Sequence, residues 1–468
     1  MSRVFSKEQR EAAALISDTN ESDLHADHII PHAKGGETVV ENCQLLSPEI
    51  NNKKSDTILP LRSWQADFIE VWNSRDTGRP FLLVAIPGGG KTVSALTAAR
   101  NWMAAGSDRR VIVVVPTTNL KDQWKTEAVD FGIQLQTDEF GTNFKHGFQG
   151  CAVTYAGVAS SPLVFRKLCA VSPVLVIFDE IHHCGDNATY GRGVKEAFTL
   201  AKEFLLLSGT PWKTNGDPIP FVRYDGDGFC VADFRYDYPS AIQDEVVRWL
   251  TFHFGMGSIT AESSGHTDEF NLGITEDEAS KLLRKFLNPT GEYVRETIRK
   301  AHAKLMECRK TLPHAGAMAA CIDKHHADKV ARVITEETGC VPLIVVSDSE
   351  IGTGTVKEFR SGRTEWLVSV RQVSEGTDIK RLQVLCYLTN WVTELFFRQL
   401  IGRVSRKITD AEDHEAHVYL PSDPRLDAFR KNIENAQVQA ISQTQIPEPQ
   451  ERKEREQKEL FDDFYSTE

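Results

Sequence analysis

Four apolar, β-branched runs, "FLLVAIP", "VIVVVPT", "VLVIFDE" and "FLLLSGT", alternate with polar or helical stretches between Leu61 and about Thr214. A strand that is apolar at nearly every position is buried on both faces. The pattern therefore predicts parallel strands covered on each side by crossover helices, an α/β fold. The alternation resumes with "AGAMAACID", "PLIVVSD", "EWLVSVR", "VLCYLTN" and "HVYLP". Two α/β units in tandem follow from it.

Between the two units, residues 216–312 lose the rhythm. "NGDPIPFVRYDGDGF" reads as loop and hairpin, and "TEDEASKLLRKFL" and "GEYVRETIRKAHAKLMECRK" read as amphipathic helices. The second carries Val294, Ile298, Leu305 and Cys308 roughly on one face. The expected organisation is a polar, His- and Asn-rich front domain at 1–57, a first α/β unit at 58–215, a connecting insert at 216–312, a second unit at 313–440 and a charged tail at 441–468. The tail reads as a frayed helix or a disordered segment.

The 468 residues allow two or three domains, each with its own core. No apolar run approaches the ~20 residues of a membrane span. The opening "MSRVFSKEQREAAAL" is charged and has no apolar signal core, so the cytoplasm is the expected location. The nine cysteines form no pair at CxxC spacing and read as buried thiols in a reducing compartment. A net charge of −12 argues against a surface coated in positive charge but leaves room for a basic cleft.

Three segments carry chemistry. In "AIPGGGKTV", directly after an apolar run, Gly88, Gly89 and Gly90 let the backbone wrap phosphates at a helix N-terminus. Lys91 supplies charge to the outer phosphates, and the Thr92 hydroxyl binds magnesium. Ala85 stands where the general pattern has glycine, and a glycine-rich turn of no chemical consequence is the plain alternative. In "VLVIFDEIHH", a strand ends abruptly in Asp179 and Glu180, at the sheet edge where α/β folds bind ligands. Asp179 would hold the magnesium and Glu180 would orient and deprotonate the attacking water; a solvated acidic turn is the alternative. In "FRQLIGRVSRK", Arg403 and Arg406 share a helix face and could reach across a cleft to a transferring phosphoryl group; an exposed basic helix is the alternative.

Taken together, these segments resemble the superfamily 2 helicases and translocases, most closely the DEAH-type branch with the type III restriction motor subunits and the Rad25-like helicases. The resemblance covers about residues 60–410 and implies two RecA-like domains with ATP and Mg2+ between them. It implies that Gln65 in "LRSWQADFIEVW" contacts adenine, that "VVVPTTNLKDQW" and "VTYAGV" touch the DNA backbone, and that Ser208 and Thr210 in "LLLSGTPWKT" couple hydrolysis to movement. In "VSEGTDI", Gly376 and Asp378 lie near the nucleotide. Gln399, Gly402, Arg403 and Arg406 fit the last motif. The second motif reads Asp-Glu-Ile-His, with His182 in the place of the histidine that couples the domains and Ile181 replacing a usual alanine. Arg371 and Gln372 are polar where the family is apolar. Neither change removes a catalytic group.

Ahead of the motor, "HADHIIPHAKGG" and "ENCQLLSPEINNKKSD" resemble the HNH nucleases, a β-hairpin and helix (ββα-metal) around one divalent ion. Carried over, His28 is the general base, Asp27 and Asn51 are metal ligands, and Asn42 orients the base. Lys34, Lys53 and Lys54 could contact phosphate. Two Cys pairs of many HNH domains are missing: the first would fall in "ISDTNESDL", the second where Ser47 and Ile50 stand. Either packing on the motor replaces the zinc or the site has loosened. The expected function is an ATP-dependent DNA helicase or translocase with a fused nuclease domain, with a possible partner subunit, in phage defence, recombination or DNA processing. An RNA-directed motor and a degenerate front domain that only binds DNA or a partner are the rivals.

Overall fold

The structure, a computed structural model, describes residues 6, 7, 9, 25–28, 43–46, 60–145, 147–184, 188–209, 218–255, 276–346, 350–370, 379–407 and 414–445, with the backbone alone at 25–28, 43–46 and a few helix ends. In the front segment, β1 (His25–His28) and β2 (Cys43–Leu46) pair antiparallel, with Asp27 opposite Gln44 and His28 opposite Cys43.

The first α/β unit runs α1 (Ser63–Ser74), β3 (Phe81–Ala85), α2 (Lys91–Ala104), β4 (Arg110–Val115), α3 (Thr118–Ala128), β5 (Leu135–Gln136), β6 (Gly150–Thr154), α4 (Tyr155–Ser160), α5 (Pro162–Val171), β7 (Val174–Phe178), α6 (Ala188–Ala197), β8 (Glu203–Ser208) and β9 (Phe234–Tyr236). Its seven strands are parallel in the order β5-β6-β4-β7-β8-β3-β9. Successive side chains feed opposite cores. Leu83, Val111, Val113, Ile177 and Leu205 pack on one face, and Leu82, Ile112, Val114, Val176 and Leu206 on the other. That is why the runs are apolar throughout, and truncating one such residue to Ala would cost about 2–5 kcal/mol.

The second unit runs α7 (Tyr238–Gln243), β10 (Trp249–Gly255), α8 (Glu276–Phe286), α9 (Glu292–Thr311), β11 (Gly316–Cys321), α10 (Lys324–Thr338), β12 (Leu343–Val345), α11 (Glu350–Ser361), β13 (Trp366–Val370), β14 (Leu382–Leu388), α12 (Glu394–Val404), β15 (Glu415–Pro421) and α13 (Pro424–Gln445). Six strands lie in the order β10-β15-β14-β11-β13-β12, again all parallel. Two parallel sheets in sequence make the fold the tandem RecA-like α/β arrangement.

Of the segment 216–312, expected as a connecting insert, the described residues are divided between the two sheets. A turn with Tyr224 bridged to Cys230 precedes β9, which pairs with β3. Strand β10 pairs with β15, and α9 is the crossover that buries Val294, Ile298, Ala301 and Leu305 against the second sheet, with Cys308 only half-buried. Both strands owe their place to partners far away in sequence. Helix α13 also runs to Gln445, into the expected tail. The eight cysteines with described side chains are free thiols. Among the described residues, no helix is long and apolar enough to cross a membrane.

The connection between the sheets is tied to α12. Arg248, fully buried, donates from Nη1 to the carbonyls of Leu382 (2.5 Å) and Val404 (2.7 Å) and from Nη2 to that of Lys380 (2.7 Å). Carbonyls at a helix C-terminus lack partners within the helix, and a guanidinium satisfies them.

Candidate active site

In a parallel sheet the loops after the strands share one edge. Here that edge gathers Ile86–Gly90 after β3, Pro116–Thr117 after β4, Asp179–Glu180 after β7 and Gly209 after β8. The phosphate loop depends on its glycines. Gly88 has φ +82° and Gly90 φ +106°, a region that L side chains rarely adopt. A Cβ on Gly90 would stand 2.6 Å from Gln65 Nε2. The loop is braced from α1: Arg62 Nη1 donates to the Gly89 carbonyl (2.7 Å) and Gln65 Nε2 to the Gly90 carbonyl (3.0 Å). Gln65 thus stands beside the loop. Arg62 was missed, although it stands three residues before Gln65.

Lys91 opens α2, with the half-buried Thr92 beside it. Its Nζ donates to the Ala85 carbonyl at 3.0 Å and lies 3.5 Å from Glu180 Oε1. Glu180 has φ +48°, accepts at Oε2 from the Gly209 N–H (3.0 Å), and has His182 Nδ1 3.5 Å away. Burial pushes the Glu180 carboxyl up, but Lys91, His182 and the Gly209 N–H together bring it below its ordinary value. Asp179 behaves oppositely. Burial, then the neighbouring charge of Glu180, push its carboxyl up to about 6, against the opposing hydrogen bond from Trp124. Trp124 Nε1 donates to Asp179 Oδ2 at 2.8 Å, and the Tyr155 hydroxyl donates to the Asp179 carbonyl at 2.9 Å. Neither contact was legible in the sequence, though both aromatics lie in the segments "VVVPTTNLKDQW" and "VTYAGV".

The second unit closes over this edge. A Cβ on Gly402 would stand 2.4 Å from Pro87 Cβ, and one on Gly88 would stand 2.7 Å from Arg406 Cγ. Arg406 therefore lies over the phosphate loop, with its backbone bridged to Val247. Arg403 is buried on α12, one turn after Gln399, but the helix ends at Val404 and Arg406 bridges to Val247 beyond it, so the two arginines do not share the helix face expected of them, because Arg248 ties down the carbonyls that end the helix; His182 is buried beside Glu180. Ser208, fully buried, ends β8 next to the Gly209 N–H. The structure thus brings together Gln65, Gly88, Gly89, Gly90, Lys91, Thr92, Asp179, Glu180, His182, Ser208 and Arg406, with Gln399 and Arg403 on the helix that leads to Arg406. Thr210, Gly376, Asp378, Asn42, Asn51, Lys34, Lys53 and Lys54 lie outside the described residues. Of Asp27 and His28 only the strand position is described.

The group set fits a nucleotide with magnesium. Positive-φ glycines cradle phosphates, an ammonium balances their charge, and a hydroxyl and a carboxylate are the hard oxygen donors that Mg2+ takes.

Residues 58–213 match the family described as the res subunit of type III restriction enzymes, and residues 15–57 match the HNH endonucleases. An uncharacterised protein of Mycobacterium leprae is 34% identical over 416 residues, 87% of this chain and 68% of that protein. The chain belongs to the superfamily 2 helicases. The chain carries an HNH-type domain ahead of its helicase-type domain. An uncharacterised protein of Mycobacterium tuberculosis is 39% identical over 376 residues, 78% of this chain, and the chain spans 62% of that relative's length. Among solved structures, a putative HsdR subunit of a type I restriction enzyme from Vibrio vulnificus shares the fold with a TM-score of 0.56, at 15% identity, covering 90% of this chain and 79% of that one. The helicase MrfA bound to DNA and AMPPNP has a TM-score of 0.52, at 14% identity, covering 83% of this chain and 53% of that one.

Proposed function

We propose that the chain is an ATP-driven DNA helicase or translocase. The observation that carries the reading is the approach of Gly402 on α12 and of Arg406 just beyond it to Pro87 and Gly88 of the phosphate loop, which supports a role for Arg403 and Arg406 at the phosphates held by Lys91. Lys91 and the loop N–H groups would hold the phosphates, and Glu180 would take the proton of the attacking water. Asp179 and Thr92 would hold magnesium, which supplies charge neutralisation on the phosphate oxygens. DNA rather than RNA is favoured by similarity to MrfA, whose solved structure contains DNA. ATPase measured with duplex, forked and single-stranded DNA, and with RNA, tests the reading. Stimulation by RNA alone replaces DNA with RNA, and no stimulation by either removes the motor.

For the front domain, the proposal is a divalent-metal nuclease with Asp27 and Asn51 as ligands, His28 as base and Asn42 orienting it, acting under control of the motor in the cytoplasm. The antiparallel pairing that sets Asp27 and His28 on one strand supports it. Plasmid DNA with Mg2+ or Mn2+, with and without ATP, is expected to be nicked or cut, and His28→Ala to abolish this. No cleavage, or cleavage surviving the substitution, leaves a domain that binds DNA or a partner subunit. A role in phage defence, recombination or DNA processing follows from this make-up by analogy alone.

A further inference from the structure

Two segments of the first unit hold Asp179 through buried aromatic side chains. Trp124, on α3, is 1% exposed and donates from its indole to Asp179 Oδ2 over 2.8 Å. Tyr155, at the start of α4, is also 1% exposed and donates to the main-chain carbonyl of the same residue over 2.9 Å. Each aromatic follows the end of a parallel strand on the site's edge. Thr117 caps α3 by accepting from the Leu120 N–H (3.3 Å), and Thr154 caps α4 by accepting from the Gly157 N–H (3.1 Å). The outward end of each helix is thus a capped, hydroxyl-bearing turn at the sheet edge, and its inward side reaches the acidic strand end.

An indole has one donor and no acceptor. The bond from Trp124 therefore takes one acceptor site of Oδ2 and fixes the carboxylate's orientation, with lone pairs remaining for a cation. A bond to an ionised carboxylate is worth more than one between neutral groups. Packing alone does not call for it, since a phenyl ring would fill much of the same space in the core shared with Phe131, Leu120 and Ala128.

We propose that Trp124 is a positioning residue for ATP hydrolysis: its indole N–H holds Asp179 in the orientation that accepts magnesium with ATP. The proposal rests on the reading of the chain as an ATP-driven DNA motor. Tyr155 holds the main chain of Asp179 while Trp124 sets its carboxylate.

The test uses the full chain with Trp124→Phe, which removes the N–H and keeps an aromatic ring. Binding of a fluorescent ATP analogue is measured in EDTA and in Mg2+, and ATPase is measured with and without single-stranded DNA. The expected result is unchanged affinity in EDTA, a loss on the order of tenfold in the gain that Mg2+ confers on binding, and a comparable loss in ATPase both with and without DNA. Phe131→Leu, which perturbs the same core without touching Asp179, is expected to leave both ratios to wild type unchanged. Ratios equal to wild type in Trp124→Phe, or the same loss in Phe131→Leu, overturn the proposal. If Trp124→Phe does not fold, 3-benzothienylalanine at position 124, with sulfur in place of the N–H, keeps the shape and reads the same ratios. A wild-type chain that no nucleic acid stimulates refutes the motor reading instead, while the Mg2+ arm still tests the grip on Asp179.

Discussion

Gly402 of α12 lies so close to Pro87 of the phosphate loop that a Cβ on Gly402 would stand 2.4 Å from the Pro87 Cβ. Carbon atoms in contact prefer about 3.5–4.0 Å. The glycine is what lets the arginine-bearing helix of one sheet meet the nucleotide loop of the other. Gly402→Ala is therefore expected to push α12 outward and lower kcat on the order of 10²-fold, the scale of a ~1 Å misplacement. Nucleotide affinity should fall much less. Phosphate release beside equilibrium nucleotide binding measures both, and normal turnover in a folded variant rejects the closure.

Lys91 and Glu180 face each other at 3.5 Å, but their substitutions should part company. Lys91→Ala should weaken nucleotide binding and abolish turnover. Glu180→Gln keeps the loop and its cation, so nucleotide should bind and remain unhydrolysed. Single-turnover hydrolysis with a binding titration separates the two. Near-normal turnover in Glu180→Gln would assign the base elsewhere.

Arg403→Ala and Arg406→Ala should act on the transition state, because the charge they meet develops only there. Turnover is expected to fall about 10³-fold or more with little change in nucleotide Kd. Equal losses in binding and turnover would give both arginines a structural role.

Asp179 supplies a pH dependence with a definite sign. Its carboxyl is pushed up to about 6 by burial and by Glu180. A folded value above the unfolded one, about 4, contributes stability that is present below that lower value and lost as pH rises through about 6. In nucleotide-free protein, Asp179→Asn is therefore expected to melt at a higher temperature than wild type at pH 7, with the gain vanishing near pH 4. Thermal melts of both proteins across that window check it. A gain that grows toward pH 4 has the wrong sign and rejects the assignment.

What the sequence determined by itself was local. A run such as "VIVVVPT" must be buried on both faces wherever it lies, so the parallel strands, their crossover helices and the α/β class were legible without coordinates. "GGGKT" was legible too, because its phosphate-binding geometry arises within one turn, from backbone freedom at Gly88 and Gly90 and the start of α2. What tertiary structure decided were the pairings between residues far apart. Strand β10 belongs to the second sheet because β15 lies alongside it, and β9 to the first because β3 does. Gly402 against Pro87, Arg248 on the carbonyls at the end of α12, and the indole of Trp124 on Asp179 likewise join distant positions. Such contacts leave no periodicity or spacing in the chain, because the geometry that makes them exists only once both sheets have packed.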